Sequence, residues 1–130
     1  MLLYGHRFIE SNNFYHVLNI DAISNTPSNS TIYLKFSEEN LEIIHHATKN
    51  NVALALETSS ITQIIYASAL GASFIIVPKE LAKSAQDIAN NYLLDAKILV
   101  RISNEEEIEE LIKLSIDGVI FSNAIIKINS

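Results

Sequence analysis

The sequence predicts an α/β domain built on a mainly parallel sheet of about five or six strands, and three observations carry that expectation. The stretch Gly71-Ala72-Ser73-Phe74-Ile75-Ile76-Val77-Pro78-Lys79 sets a helix-ending glycine before an unbroken apolar run and a turn with a cation. An apolar run of that length is buried on both faces, as an inner strand of a parallel sheet is. Short apolar runs also alternate with amphipathic segments along most of the chain, with strand centres about twenty to twenty-four residues apart, the size of a compact βα unit. Finally, 130 residues with 48% hydrophobic content suffice for a single domain over residues 1–130 with one sizeable core.

Taken in order, Met1 to Tyr15 shows no sustained period and holds at most a short edge strand around Arg7 to Glu10. Tyr4, Phe8, Phe14 and Tyr15 are expected to anchor it as a satellite apolar cluster. His16 to Ile20 reads as the first strand, and Asp21 to Ser30, polar and broken by Pro27, as a loop. Ile32 to Phe36 is a strand; Ser37 then caps a helix whose first turn carries Glu38 and Glu39, favourable at the positive end of its dipole. Leu41, Ile44 and Thr48 share a face of that helix. Val52 to Glu57 is the next strand, followed by a helix that opens with a Ser60/Gln63 capping-box pattern and stops at Gly71. After the strand Ser73 to Val77, the residues Leu81, Ala85, Ile88 and Tyr92 fall on one face of a helix ending near Leu94. Lys97 to Ile102 is a strand, Ser103 with Glu106 repeats the capping box, and Ile108, Leu111 and Ile112 form the apolar stripe of an acidic helix. Val119 to Phe121 makes the last strand, with Asn123 to Ser130 left as a short helix or tail.

Two architectures use this alternation. One is a doubly wound, flavodoxin-like open sheet with helices on both faces; the other is a barrel of βα units. A complete barrel takes at least about 200 residues, which favours the open sheet. The alternative is a partial barrel, completed by a second copy at the unpaired edge, and that edge is the reason to expect a homodimer.

The segments Ala69 to Pro78, Asn104 to Leu111 and Ile116-Asp117-Gly118-Val119-Ile120-Phe121-Ser122 together resemble consecutive units of phosphate-binding βα-barrel proteins, including class I aldolases of keto-deoxy sugar acid phosphates. The resemblance covers less than half the chain and implies a parallel βα array. Those aldolases carry a Schiff-base lysine in a late strand, and Gly118 to Ser122 holds none. The stretch from Ala55-Leu56-Glu57-Thr58 to Pro78-Lys79 is also similar to the second half of response-regulator receiver domains. Here, however, Phe36-Ser37 stands where receivers have an aspartate, and Pro78 precedes Lys79 where they place lysine first. Both resemblances imply parallel α/β structure rather than a particular activity.

Composition excludes several classes of function. With no cysteine, the chain has no disulfide, thiolate metal site or cysteine nucleophile. The net charge of −6 repels phosphodiester backbones, and the nine Lys and Arg residues form no stripe, so nucleic acid is not an expected partner. Gly5, Gly71 and Gly118 lie too far apart for a dinucleotide fingerprint or a P-loop. No apolar run approaches the roughly 20 residues of a membrane span, and the N-terminus lacks the pattern of a secretory signal; a cytoplasmic protein with no membrane partner and no cofactor is expected.

In parallel α/β folds ligands bind beyond the carboxyl ends of the strands. Those ends offer Asp21, Ser37, Glu57, Thr58, Lys79, Arg101, Ser103, Ser122 and Asn123. Arg101 suits bidentate binding of a phosphate or carboxylate, Lys79 adds a point charge, Thr58, Ser103 and Ser122 add hydroxyls, and Glu57 is the candidate catalytic acid or base. His45 and His46 are adjacent, hence about 100° apart on a helix, and cannot chelate one metal ion. His6 and Arg7 lie in the irregular N-terminal segment with no specified partner, and His16 is expected to satisfy a backbone group. Lacking a nucleophile–base triad, metal-ligand spacing and a phosphate loop, the chain reads as a non-catalytic binding or assembly protein. Its alternative is a small-molecule enzyme or ligand-binding domain for a phosphate- or carboxylate-bearing ligand.

Overall fold

In the computed structural model, which describes residues 1–128, every strand pairing is parallel. The strands are β1 (Leu2–Tyr4), β2 (Phe14–Val17), β3 (Thr31–Lys35), β4 (Ala53–Glu57), β5 (Phe74–Val77), β6 (Lys97–Ile102), β7 (Gly118–Phe121) and β8 (Ile125–Ile128). Between them lie α1 (Ile20–Ile23), α2 (Leu41–Lys49), α3 (Ile61–Ala69), α4 (Ala82–Asn91) and α5 (Glu106–Ile112), with 3₁₀ turns at Glu38–Asn40, Lys79–Leu81 and Ser122–Ala124. Eight strands, not the five or six expected, form one sheet in the order β1-β7-β6-β5-β4-β3-β2-β8. Among the described residues no helix is long and apolar enough to cross a membrane.

Strand alternation divides the core in two. Val17, Ile32, Leu34, Leu54, Leu56, Ile75, Val77, Ile98, Val100 and Val119 face outward and pack against the buried helix residues, among them Ile44, Ala47, Ile64, Ala67, Ala85 and Leu111. Phe14, Tyr33, Ala55, Ile76, Leu99 and Ile120 face the other way and form a second cluster with Ala124 of the last 3₁₀ turn, joined by Tyr4, Phe74 and Ile125, to which no α-helix contributes. Helices therefore cover one face only, and the doubly wound sheet is corrected to a partial barrel: the uncovered face hides its apolar residues by curling upon itself. An eight-stranded interior is just wide enough for side chains to fill. The Phe14 ring of β2 lies 5.2 Å from the Tyr4 ring of β1 and 5.1 Å from Phe74 of β5, although β1 and β2 stand near opposite ends of the strand order.

No ladder between β1 and β8 is recorded among the described residues, yet these strands are tied at one point. Asn123 donates from Nδ2 to the Gly5 carbonyl at 2.8 Å, and a Cβ on Gly5 would stand 2.9 Å from the Ala124 Cβ. Gly5 has φ +91, so glycine is required there both for backbone freedom and for close approach. A single side-chain hydrogen bond thus links the two ends of the strand order, and β1 and β8 each keep one edge without a ladder among the described residues.

Several local expectations are corrected. The strand expected at Arg7–Glu10 is β1, Leu2–Tyr4, and the one expected at His16–Ile20 is β2, Phe14–Val17. Beyond β2, Asn19 takes up capping: its Oδ1 accepts the Ala22 N–H at 2.8 Å and starts α1 inside the presumed loop. The expected tail contains β8, its Ile125 to Ile128 paired with Phe14 to Val17; Asn129 and Ser130 lie outside the described residues. Tyr4 and Phe14 belong to the inner core, not to a satellite cluster, while Phe8 is 74% exposed. Tyr92 caps α4 instead of sharing its buried face, which is made by Ala82, Ala85, Gln86 and Ala89. Ser60 caps α3 as expected, its Oγ accepting the Gln63 N–H at 3.2 Å, while Gln63 reaches back to the Ser59 N–H at 2.8 Å. In the second box Glu107, not Glu106, accepts the Ser103 and Asn104 N–H groups.

Candidate functional site at the strand mouth

Inward-facing positions continue beyond the apolar inner core. Two residues after Phe14, Tyr33, Ala55, Leu99 and Ile125, all on the inner face, come His16, Lys35, Glu57, Arg101 and Lys127. A period of two places both members of each pair on one face, so the carboxyl end of the barrel is lined by four basic side chains and one carboxylate. The ladder sets several of them side by side: Lys35 is the register partner of Glu57, and His16 that of Lys127 and Tyr33.

Glu57 is the centre of this group. Tyr33 Oη donates to Glu57 Oε1 at 2.9 Å, and Arg101 Nη1 stands 3.9 Å from the same oxygen. Burial, then the charge and hydrogen bond of Glu57, raise the Tyr33 hydroxyl far above the ordinary phenol value, so it stays protonated as a donor. Arg101 Nε donates to Ser122 Oγ at 3.1 Å, and its guanidinium carbon lies 6.0 Å from the Tyr33 ring centroid. The Glu57 and Arg101 side chains are 34% and 43% exposed, and an ion pair so wet contributes no more than about 1 kcal/mol to stability. Their convergence is thus not explained by what it adds to the fold. Lys35, Glu57, Thr58, Gln63, Ile76, Pro78 and Arg101 line a cleft of about 260 Å³.

Burial lowers the pKa of His16, with Lys127 and Arg101 acting in the same direction and Glu57 opposing them. The shift favours the neutral imidazole, and Glu57 and Arg101 are among the groups that act on it.

Of the residues expected to form a site, Glu57, Arg101 and Ser122 come together. Thr58 lines the same cleft but is buried, its Oγ1 donating to the Ile76 carbonyl at 3.0 Å, which gives it a structural task. Lys79 does not join them: its Nζ lies 2.6 Å from Glu110 Oε2 on α5, and this hydrogen bond raises its pKa. Ser103 lines a separate hollow of about 390 Å³ with His6, Arg7, Glu105 and Asn123. There His6 Nδ1 accepts the Phe8 N–H at 3.1 Å, so Nε2 carries the proton and donates to Glu105 Oε2 at 2.8 Å. Both ring nitrogens are engaged, and His6 latches the N-terminal segment to α5. The hydrogen bond to His6, then the Arg7 charge, lower the pKa of Glu105. Asp21 lies on α1, and Ser37 precedes a 3₁₀ turn without a side-chain cap. His45 is exposed and His46 half-buried on α2.

A larger hollow of about 520 Å³ opens at the opposite end, among Ser24 to Ser30 and Asn50 to Ala53, and has no ionisable lining. Charge is concentrated at the mouth instead. His16, Lys35 and Lys127 were missed because strand ends were read by position alone; the signal was parity, a charged residue two places beyond an inward-facing one. Set against models of protein families and against curated proteins, the sequence matches none.

Proposed function

We propose that the protein binds a small phosphate- or carboxylate-bearing molecule at the carboxyl end of its curled sheet, as a ligand-binding domain or small-molecule enzyme. The observation that carries this reading is the placement of Arg101 3.9 Å from Glu57 and of Lys35 beside that carboxylate in the ladder, with Lys127 inward beside His16, in a chain whose net charge is −6. A local excess of cations on an acidic protein draws anions against the mean field, and walls of low dielectric strengthen it. Arg101 supplies a planar fork for two oxygens of the anion, and the lysines supply point charges. Glu57, held by Tyr33 and facing the same cleft, accepts a hydrogen bond from a hydroxyl of the ligand. In an enzyme it would be the general base.

A thermal-shift panel of phosphates and carboxylates tests this. A ligand at about one hundred times its dissociation constant stabilises the native state by about 2.7 kcal/mol. At least one anion should raise the midpoint accordingly, and at the same concentration the gain should fall by more than half in Arg101→Ala. If no anion moves the melt, or if Arg101→Ala responds like the parent chain, the reading fails.

A further inference from the structure

His16 is an inward-facing residue at the carboxyl end of β2, set among the charged side chains of the mouth. Lys127 of β8 and Tyr33 of β3 flank it across the ladders, Glu57 of β4 and Arg101 of β6 act on it through space, and Lys35 of β3 completes the charged ring. Below it lies Phe14, with no polar partner to offer. Among these side-chain types only imidazole ordinarily changes charge between about pH 5 and pH 8.

Resting on the anion-binding reading, we propose that His16 is a specificity-determining residue of the mouth, taking up a proton from solvent when a dianion binds and so favouring dianions over monoanions. Charge balance sets the preference. Lys35, Arg101 and Lys127 face the single carboxylate of Glu57, leaving an excess of two positive charges when His16 is neutral. A monoanion leaves part of that excess in place. A dianion cancels it, removing the repulsion from Lys127 and Arg101 that opposes imidazolium and adding an acceptor for its N–H. Linkage is reciprocal: whatever factor the dianion adds to His16 protonation, protonation adds to dianion affinity.

Sulfate and nitrate are suitable probes, because neither changes charge over this range. Calorimetric titrations at constant ionic strength should show sulfate binding at least about fivefold tighter near pH 6 than near pH 8, and nitrate changing by less than about twofold. Near pH 6.5, buffers of different ionisation heat should report uptake of up to about one proton per sulfate. In His16→Gln the sulfate ratio should fall below about twofold while binding near pH 8 persists. As a check that needs no variant, the His16 imidazole resonances should titrate at higher pH with saturating sulfate than without. Sulfate binding that depends on Arg101 but not on pH, or an unmoved His16 midpoint, overturns the proton coupling and leaves the anion site standing. Failure of both anions to bind at any pH overturns both.

Discussion

Asn51, Gly71, Leu93 and Ser115 all adopt left-handed backbone, with φ of 58, 86, 52 and 56, each just beyond the end of a helix. After three of these helices the next N–H reaches back to an alanine carbonyl: Val52 to Ala47 at 2.8 Å, Ala72 to Ala67 at 3.1 Å and Leu94 to Ala89 at 2.9 Å. The buried alanine, the left-handed residue and the apolar residue after it recur as a helix-stop motif. Leucine suits the left-handed position poorly, at a cost of roughly 1–2 kcal/mol, and the Leu93 side chain is 85% exposed, so packing returns little. Leu93→Gly, after allowance for glycine's greater unfolded-state freedom, should therefore raise stability by about 0.5–1 kcal/mol in urea unfolding. A neutral or destabilising result would mean that Leu93 makes contacts this account lacks. Gly71 was legible as a helix stop because glycine announces the conformation. Asn51, a residue that tolerates left-handed backbone, is a weaker sign, and Leu93 and Ser115 give none, since there the backbone of the βα unit overrides residue preference. The mouth was half legible for a related reason: Glu57 and Arg101 sit at obvious strand ends, whereas Lys35 and Lys127 need the facing of Tyr33 and Ile125 to be known first.

At the scale of elements, β1 is displaced from its expected place and α1 and β8 have no counterpart in the sequence reading, with three, four and four residues. Strands so short cannot display a period of two, and their burial depends on partners far away in sequence. The contact that seats β1 is unusually close. A Cβ on Gly118 would meet the Leu2 carbonyl oxygen at 2.5 Å and the Leu2 Cβ at 2.6 Å. Below the same strands, Asp117 ties β7 to β6 by accepting the Ile98 N–H on Oδ2 at 2.8 Å, while its own N–H donates to buried Gln86 at 2.8 Å. Backbone, not a flexible side-chain tip, stands in the way at Gly118, so Gly118→Ala should push β1 off the sheet and cost about 1–3 kcal/mol. Amide exchange of Leu2 and Tyr4, whose N–H groups face β7, should accelerate with it. Unchanged stability together with unchanged exchange would show that β1 does not rest on β7 as described.

For the whole molecule, shape follows from where apolar area can be hidden. The parallel βα alternation was plain in the sequence, and so was the central strand Phe74–Val77, fourth in the sheet from one end. Chain length argued against a barrel because ordinary βα units are longer; here the helices span four to ten residues and the strands three to six. The chain between β1 and β2 returns without any helix, from Gly5 to Asn13. Curling gives the molecule two unlike ends: an uncharged hollow where the strands begin, and a ring of His16, Lys35, Glu57, Arg101 and Lys127 where they finish. The central claim is that the second end receives anions. Backbone and side-chain resonances followed during titration with inorganic phosphate test it most directly. The account predicts saturable shifts concentrated at His16, Lys35, Glu57, Arg101, Ser122 and Lys127, and their loss in Arg101→Ala. It would be contradicted by shifts centred on Ser24 to Ser30 and Asn50 to Ala53, or by a spectrum that phosphate leaves unchanged.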